Sequence, residues 1–288
     1  NMYKSIVTEI VKRQKPKLLL INASAFSYCN SNLTDEVYLR KWIDNMPMSQ
    51  NKLDTVKTIP QNINKDDEKV KDNISDTLYF PLEKYHGNWK EPEAVYTSFV
   101  TRAYMRLSGG GYLKGFFSKT GITGGRDNLA NIGQPTKEAY VLTDECRAYL
   151  KELLSYCNKL GIKHVLLLQP PHETQAADKS GLEQIESITR EYGYDFLDLS
   201  TDYESIAGID DSHDFADFEH LNAYGAQKLS SYIGNLVVNQ YGIKSDTTGS
   251  ELSRWEKSVK RTKKALKMAR EYTDRGEAQV VGEYEAAK

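Results

Sequence analysis

Three short apolar runs constrain this chain more than any other feature: Lys17 to Asn22 (KLLLIN), His164 to Gln169 (HVLLLQ) and Asp195 to Leu199 (DFLDL). Each follows a helical pattern and a break. Ile6, Ile10 and Val11 precede Pro16. Cys146, Tyr149, Leu150, Leu153, Leu154 and Cys157 precede Gly161, with Thr143 placed to cap and acids in the first turn. Leu182, Ile185 and Ile188 precede Gly193. Apolar strands that alternate with amphipathic helices predict a parallel sheet covered on both faces, hence an α/β fold built as a three-layer α/β/α sandwich. Ligands of such sheets bind beyond the carboxyl ends of the strands. The segments from Asn22 to Tyr28, Gln169 to Glu173 and Ser200 to His220 are therefore expected to share one functional rim.

Between about Phe26 and Val141 the alternation lapses. Asn51 to Asp76 is polar and charged and reads as loop. Tyr79 to Trp89 (YFPLEKYHGNW) combines aromatics with His86, and a helical pattern from Glu93 to Leu107 ends in three glycines. A long insertion at the carboxyl end of a strand suits a lid or specificity region better than a connector. Residues 1–25 and 140–245 are thus read as the α/β core, 26–139 as the insertion, and 246–288 as a C-terminal amphipathic helix with its tail. In that helix, Glu251 to Tyr272, the pattern turns Leu252, Trp255, Val259, Leu266 and Ala269 inward. Arg254, Lys257, Lys260, Arg261, Lys263, Lys264, Lys267 and Arg270 occupy the other face.

A formal charge of -2 and a pI near 6.3 argue against nucleic acid as a partner. No run approaches the roughly 20 apolar residues of a membrane helix. Cys146 and Cys157 lie on one helical pattern about 16 Å of rise apart, too far to bridge. Both read as small core residues.

The chemistry concentrates between Asp211 and His220 (DSHDFADFEH), where two of the five histidines sit among carboxylates. Asn222 can cap the helix that follows, to Tyr241, with Gly242 past its end. Asp217 and His220 form a D-x-x-H pair just outside that helix. A histidine serves as general base near neutral pH when one ring nitrogen is free and the other donates to a carboxylate that fixes its tautomer. His213, Asp214, Asp217 and His220 are also metal-ligand types, but their spacing matches no established metal motif, and no metal or other cofactor is expected.

The string F-x-D-x-x-H-L-N-x-x-G-A-x-K, carried here by Phe215, Asp217, His220, Leu221, Asn222, Gly225, Ala226 and Lys228, resembles the last block of the SGNH (GDSL-type) hydrolase superfamily. KPKLLLIN resembles the third strand of that flavodoxin-like fold and YGYDFLDLS its last strand. FPLEKYHGNW resembles an insertion in firmicute cell-surface members related to DltD and to polysaccharide O-acetylation proteins. The resemblance covers about half the chain and is specific only in the last block. It implies an esterase or O-acyltransferase working on a cell-surface polysaccharide or teichoic-type polymer, extracellular and membrane-anchored in its parent, with a membrane acyltransferase as a partner. His220 would be the base and Asp217 its orienting acid. The superfamily's Gly-Asp-Ser-like nucleophile turn is missing, so two N-terminal strands of about 50 to 60 residues are expected to lie outside this chain. Asn22 and Ser24 are the oxyanion or nucleophile candidates within it, and His86, Trp89 and His172 the substrate-binding ones. The alternative is a non-catalytic accessory or glycan-binding protein on the same fold.

Overall fold

The computed structural model describes residues 2–27, 36–58, 78–79, 100, 113, 116–122, 141–171, 179–217 and 220–282, the side chains of 27, 36–38 and 41 excepted. The fold is mixed α/β, and its parallel sheet has three strands among the described residues, in the order β1-β3-β4. These are β1 (Leu19–Asn22), β3 (Val165–Gln169) and β4 (Asp195–Asp198), the three apolar runs of the sequence. Leu19 pairs with Val165 and Asn22 with Leu168, in parallel register. The central strand β3 is buried at every position, which is why it reads as an unbroken apolar run. In β1 only Leu19 and Ile21 are buried, and Leu20 is 49% exposed.

Two compact units divide the chain. The first holds residues 1–95, 140–168 and 178–197, the second 96–139, 169–177 and 198–288. This grouping cuts across the division drawn from the sequence, because the expected core is shared between both units and the C-terminal helix belongs to the second.

In the first unit, α1 (Met2–Arg13) precedes β1, α2 (Ser24–Ser27) follows it, and α5 (Asp144–Lys159) and α6 (Ser180–Glu191) lead into β3 and β4. Thr143 caps α5 by accepting the Cys146 N–H at 3.3 Å. Leu150, Leu153, Leu154 and Cys157 on α5 and Leu182 and Ile185 on α6 are buried. The stretch expected as loop from Asn51 begins instead with α4 (Gln50–Thr58), preceded by α3 (Glu36–Ile43). Its propensity is unremarkable, and packing supplies the helix: Val56 joins a cluster with Leu39, Ile43, Met46 and Leu78. Cys157 is a buried free thiol, whereas Cys146 is disulfide-bonded, to a partner other than Cys157. The reading of Cys146 as a plain core residue is corrected accordingly.

The second unit contains β2 (Ser118–Lys119), α7 (Tyr203–Ala207), β5 (Phe215–Asp217), β6 (His220–Leu221), α8 (Ala223–Asn239), α9 (Gly249–Asp274) and β7 (Val280–Val281). The inward face of α9 is only partly the expected one, with Ala269 buried and Leu266 partly buried against the same cluster. Ser258, Ala265, Ala269 and Thr273 are buried, while Leu252, Trp255 and Val259 are 42%, 48% and 49% exposed. Small residues face the core because α9 packs closely on α8, β2 and β7, where large side chains would hold the backbones apart. Among the described residues no helix is long and apolar enough to cross a membrane.

Candidate active site

The D-x-x-H spacing resolves into a short hairpin. Strands β5 and β6 pair antiparallel with Phe215 opposite Leu221 and Asp217 opposite His220. Directly opposed residues of an antiparallel pair present their side chains on one face. His220 Nδ1 accordingly lies 2.7 Å from Asp217 Oδ1. A carboxylate only accepts, so this contact is a hydrogen bond when the ring carries a proton on Nδ1, and in that neutral tautomer the Nε2 lone pair is the basic one. Nε2 makes no hydrogen bond among the described residues.

A third member of the cluster was not anticipated. Lys119 Nζ donates to Asp217 Oδ2 at 2.8 Å and lies 3.1 Å from His220 Nδ1. Asp217 is thereby held by both oxygens, one to each neighbour, which fixes the plane of the carboxylate. About a third of each of the Lys119 and Asp217 side chains is exposed, so the cluster meets solvent without being dissolved in it. Lys119 comes from β2, which pairs with β7 near the C-terminus, Lys119 opposite Val280. Thr120 locks this pairing, its N–H donating to the Gln279 carbonyl at 2.9 Å and its hydroxyl accepting the Gln279 N–H at 2.7 Å. The chain then turns at Gly121, whose φ of 104° falls where a side chain is strained.

Asn222 joins these parts. Its side-chain oxygen accepts the N–H groups of Tyr224 and Gly225, capping α8. Its amide donates to the carbonyls of His213 at 2.6 Å and Gly121 at 3.2 Å. One fully buried side chain thus ties the β2 turn, the loop before β5 and the start of α8 into a single support for His220. Asp214, also fully buried, receives Lys228 Nζ at 2.6 Å, the Asp210 N–H at 2.7 Å and His213 Nδ1 at 3.0 Å. Gly225 sits against the Asp214 backbone, where a β-carbon would come within 2.5 Å of its carbonyl oxygen. Asp211 and Asp210 are engaged too. Tyr203 donates its hydroxyl to Asp211. Asp210 accepts the hydroxyl and backbone N–H of Ser212, which hold its carboxyl below the usual range.

His220 and Lys119 line a cavity of about 240 Å³ together with Phe117, Pro170, Pro171, Leu221 and Leu229. Its walls are apolar, and the described lining offers one imidazole and one ammonium but no hydroxyl. It suits a small apolar group presented to Nε2. Among the described residues no three histidine, cysteine, aspartate or glutamate side chains converge to hold a metal ion. Of the four metal-type residues in the loop, Asp214 is committed to Lys228 and the loop backbone.

The other candidates are placed as follows. Asn22 and Ser24 belong to the first unit, at the carboxyl end of β1. The Asn22 side-chain oxygen accepts the Ser24 N–H at 2.9 Å, so it caps the short helix α2. His86, Trp89 and His172 lie outside the described residues, as does the expected helix at 93–107 except for Val100. Lys119 carried no motif signal, being one of two lysines in a glycine-rich stretch, 101 residues from His220.

Compared with known proteins, the chain matches no family model, no curated protein and no solved structure.

Proposed function

We propose that the Lys119–Asp217–His220 cluster performs acyl-ester chemistry of the SGNH type, as an esterase or an O-acyltransferase on a cell-surface glycan or teichoic-type polymer. The observation that carries this reading is the oriented imidazole. Nδ1 is held by a carboxylate, Nε2 is unengaged, and the residue borders a small apolar cavity of a size for a short acyl chain. His220 takes the proton of the attacking hydroxyl at Nε2 and returns it to the leaving group, and Asp217 steadies the imidazolium between those steps. The nucleophile is a serine that the described lining of this cavity does not contain. The three-stranded parallel sheet with its leading helices supports the finer expectation of a three-layer sandwich. The disulfide at Cys146 fits an oxidising compartment, and so supports an extracellular location.

The test is hydrolysis of an aryl acetate by the intact chain and its variants. His220→Ala removes the activity without unfolding the protein, and Asp217→Asn costs less than the histidine change. Undiminished turnover in His220→Ala overturns the mechanism. Loss on chelation alone would point to a metal instead.

One observation favours a second reading, a non-catalytic accessory or glycan-binding protein: Asp217 balances Lys119 as well as His220, as an ion cluster that stabilises a hairpin would. On that reading the chain binds a glycan, and His220→Ala leaves that binding unchanged.

A further inference from the structure

A second cavity in the second unit, of about 500 Å³, is lined by one face of α8, the end of α7 and Arg270 of α9. Along α8 the lining residues recur at Tyr224, Gln227, Ser231 and Asn235, the spacing of one helical stripe. Seven of its nine lining residues carry a polar group, set among apolar atoms that make up most of the wall. The Arg270 guanidinium lies over the Tyr224 ring, 4.9 Å from its centroid. Its Nε is buried and has no hydrogen-bond partner, and no carboxylate lies within ion-pair distance among the described residues. A buried donor left unmade costs about 1–3 kcal/mol, more when charged, and no described residue offsets that cost.

The neighbouring charges do not neutralise it. Lys228 is committed to Asp214 at 2.6 Å, and Asp274 accepts the Tyr224 hydroxyl at 2.8 Å. The side chains of Gln227, Tyr232 and Asn235 make no hydrogen bond within the described protein, so their donors are available beside the guanidinium. From Lys257 to Arg270, α9 carries seven cations and no carboxylate, which raises the local concentration of anions.

We infer that this cavity binds a phosphate-class anion, a phosphomonoester or phosphodiester, with Arg270 as the principal ligand. A guanidinium fork matches two oxygens of a tetrahedral oxyanion, and the lining amides and hydroxyl reach the others. A single phosphorylated small molecule and one phosphodiester of a polymer laid along α9 share this chemistry. The inference stands apart from the acyl-ester reading, and its test uses no activity.

The experiment follows the arginine Nε–H signals of the intact chain by ¹⁵N NMR, with Arg270→Gln identifying the Arg270 signal. Inorganic phosphate and an inorganic polyphosphate chain are titrated separately, against chloride at matched ionic strength. The expected result is a saturable shift of the Arg270 signal with phosphate, not with chloride, at a Kd below roughly 10 mM. Arg270→Lys, which keeps the charge and loses the fork, should weaken binding at least about tenfold. A polyphosphate preference of about tenfold or more that falls in Lys263→Gln/Lys264→Gln assigns the polymer, and equal binding assigns the small molecule. An Arg270 signal that ignores phosphate, or follows chloride equally, overturns the inference, as does binding unchanged in Arg270→Lys.

Discussion

Replacing Gly225 by alanine tests the claim that the glycine of the charged motif is there for packing. A β-carbon at Gly225 would stand 2.5 Å from the Asp214 carbonyl oxygen and 2.9 Å from both Asp214 Cβ and Leu221 Cδ2. Ordinary contact is about 3.5 Å, so the Asp214 backbone must retreat by about 1 Å. That carbonyl accepts the Asn222 N–H at 2.9 Å, and the retreat sacrifices the bond, at about 1 kcal/mol. Overpacking adds about 1–3 kcal/mol. Against this, alanine in a helix gains about 1 kcal/mol over glycine. The net expectation is a loss of about 1–3 kcal/mol, with the His220 hairpin displaced because it lies between Asp214 and Asn222.

The same helix provides the control. Gly234 has nothing within 4 Å of its built β-carbon, so Gly234→Ala collects the propensity gain alone and should stabilise by about 0.5–1 kcal/mol. Urea unfolding of the two variants beside the parent protein, fitted with a common slope, gives the comparison. If Gly225→Ala proves as stable as Gly234→Ala, the close approach to Asp214 is not what holds the loop, and the structural reading of the motif fails.

Lys119→Met keeps the aliphatic stem and removes the ammonium. With both ends of its ion pair a third exposed, the stability loss by urea unfolding should stay under about 1 kcal/mol, and a larger loss would make Lys119 a structural strut. Ser200 is buried and its hydroxyl has no partner, so Ser200→Ala should leave the thermal midpoint unchanged or raise it; a drop of several degrees would reveal a bond to this hydroxyl. Burial pushes the Tyr194 phenol up to about 12, with a smaller contribution from Cys157. The unfolded chain loses that proton from about pH 10 and the folded one only near 12, so stability should fall as pH rises through this window, by up to about 1.4 kcal/mol per unit from this group. Tyr194→Phe should flatten that fall, measured by unfolding at pH 9 to 11.5.

The parts of the fold visible in the sequence are those whose cause is local. The three apolar runs became the three strands, and Thr143 and Asn222 cap their helices because an N-cap needs only a side-chain oxygen and the next turn of backbone. The hydrogen bond between Asp217 and His220 follows from three residues of spacing in a tight reversal. What stayed hidden depends on distant chain. Lys119 reaches His220 only because β2, two residues long, pairs with β7 some 160 residues later, and two residues have no periodicity to read. The helix at 50–58 buries Lys52 and Thr55 beside Val56, so its inward face carries no apolar stripe. In α9 a hydrophobic stripe was visible, but close packing favoured the neighbouring face of serine, alanine and threonine, leaving Trp255 half exposed.

The crowding of charge before α8 has a physical explanation that separates scaffold from chemistry. Within Asp210 to Asp217 there are four aspartates, and three of them satisfy the loop itself: Asp210 holds Ser212, Asp211 receives Tyr203, and Asp214 is sealed beneath Lys228. A loop of this length has few backbone partners for its own N–H groups, and buried ones must be satisfied, so short carboxylates take the place of strand neighbours. Of the motif positions, Asn222, Gly225 and Lys228 act on that scaffold and touch neither Asp217 nor His220. Asp217 turns toward the two ionisable side chains that line the 240 Å³ cavity, and among the described residues His220 keeps Nε2 unengaged there. The demand for a rigid hairpin explains most of the string, and the Asp217–His220 pair is the part it does not require. Asparagine at 217 could accept the same hydrogen bond, but it could balance neither the Lys119 ammonium nor an imidazolium. The carboxylate at that one position therefore serves the ion cluster and the imidazole together, and Lys119→Met separates the two tasks.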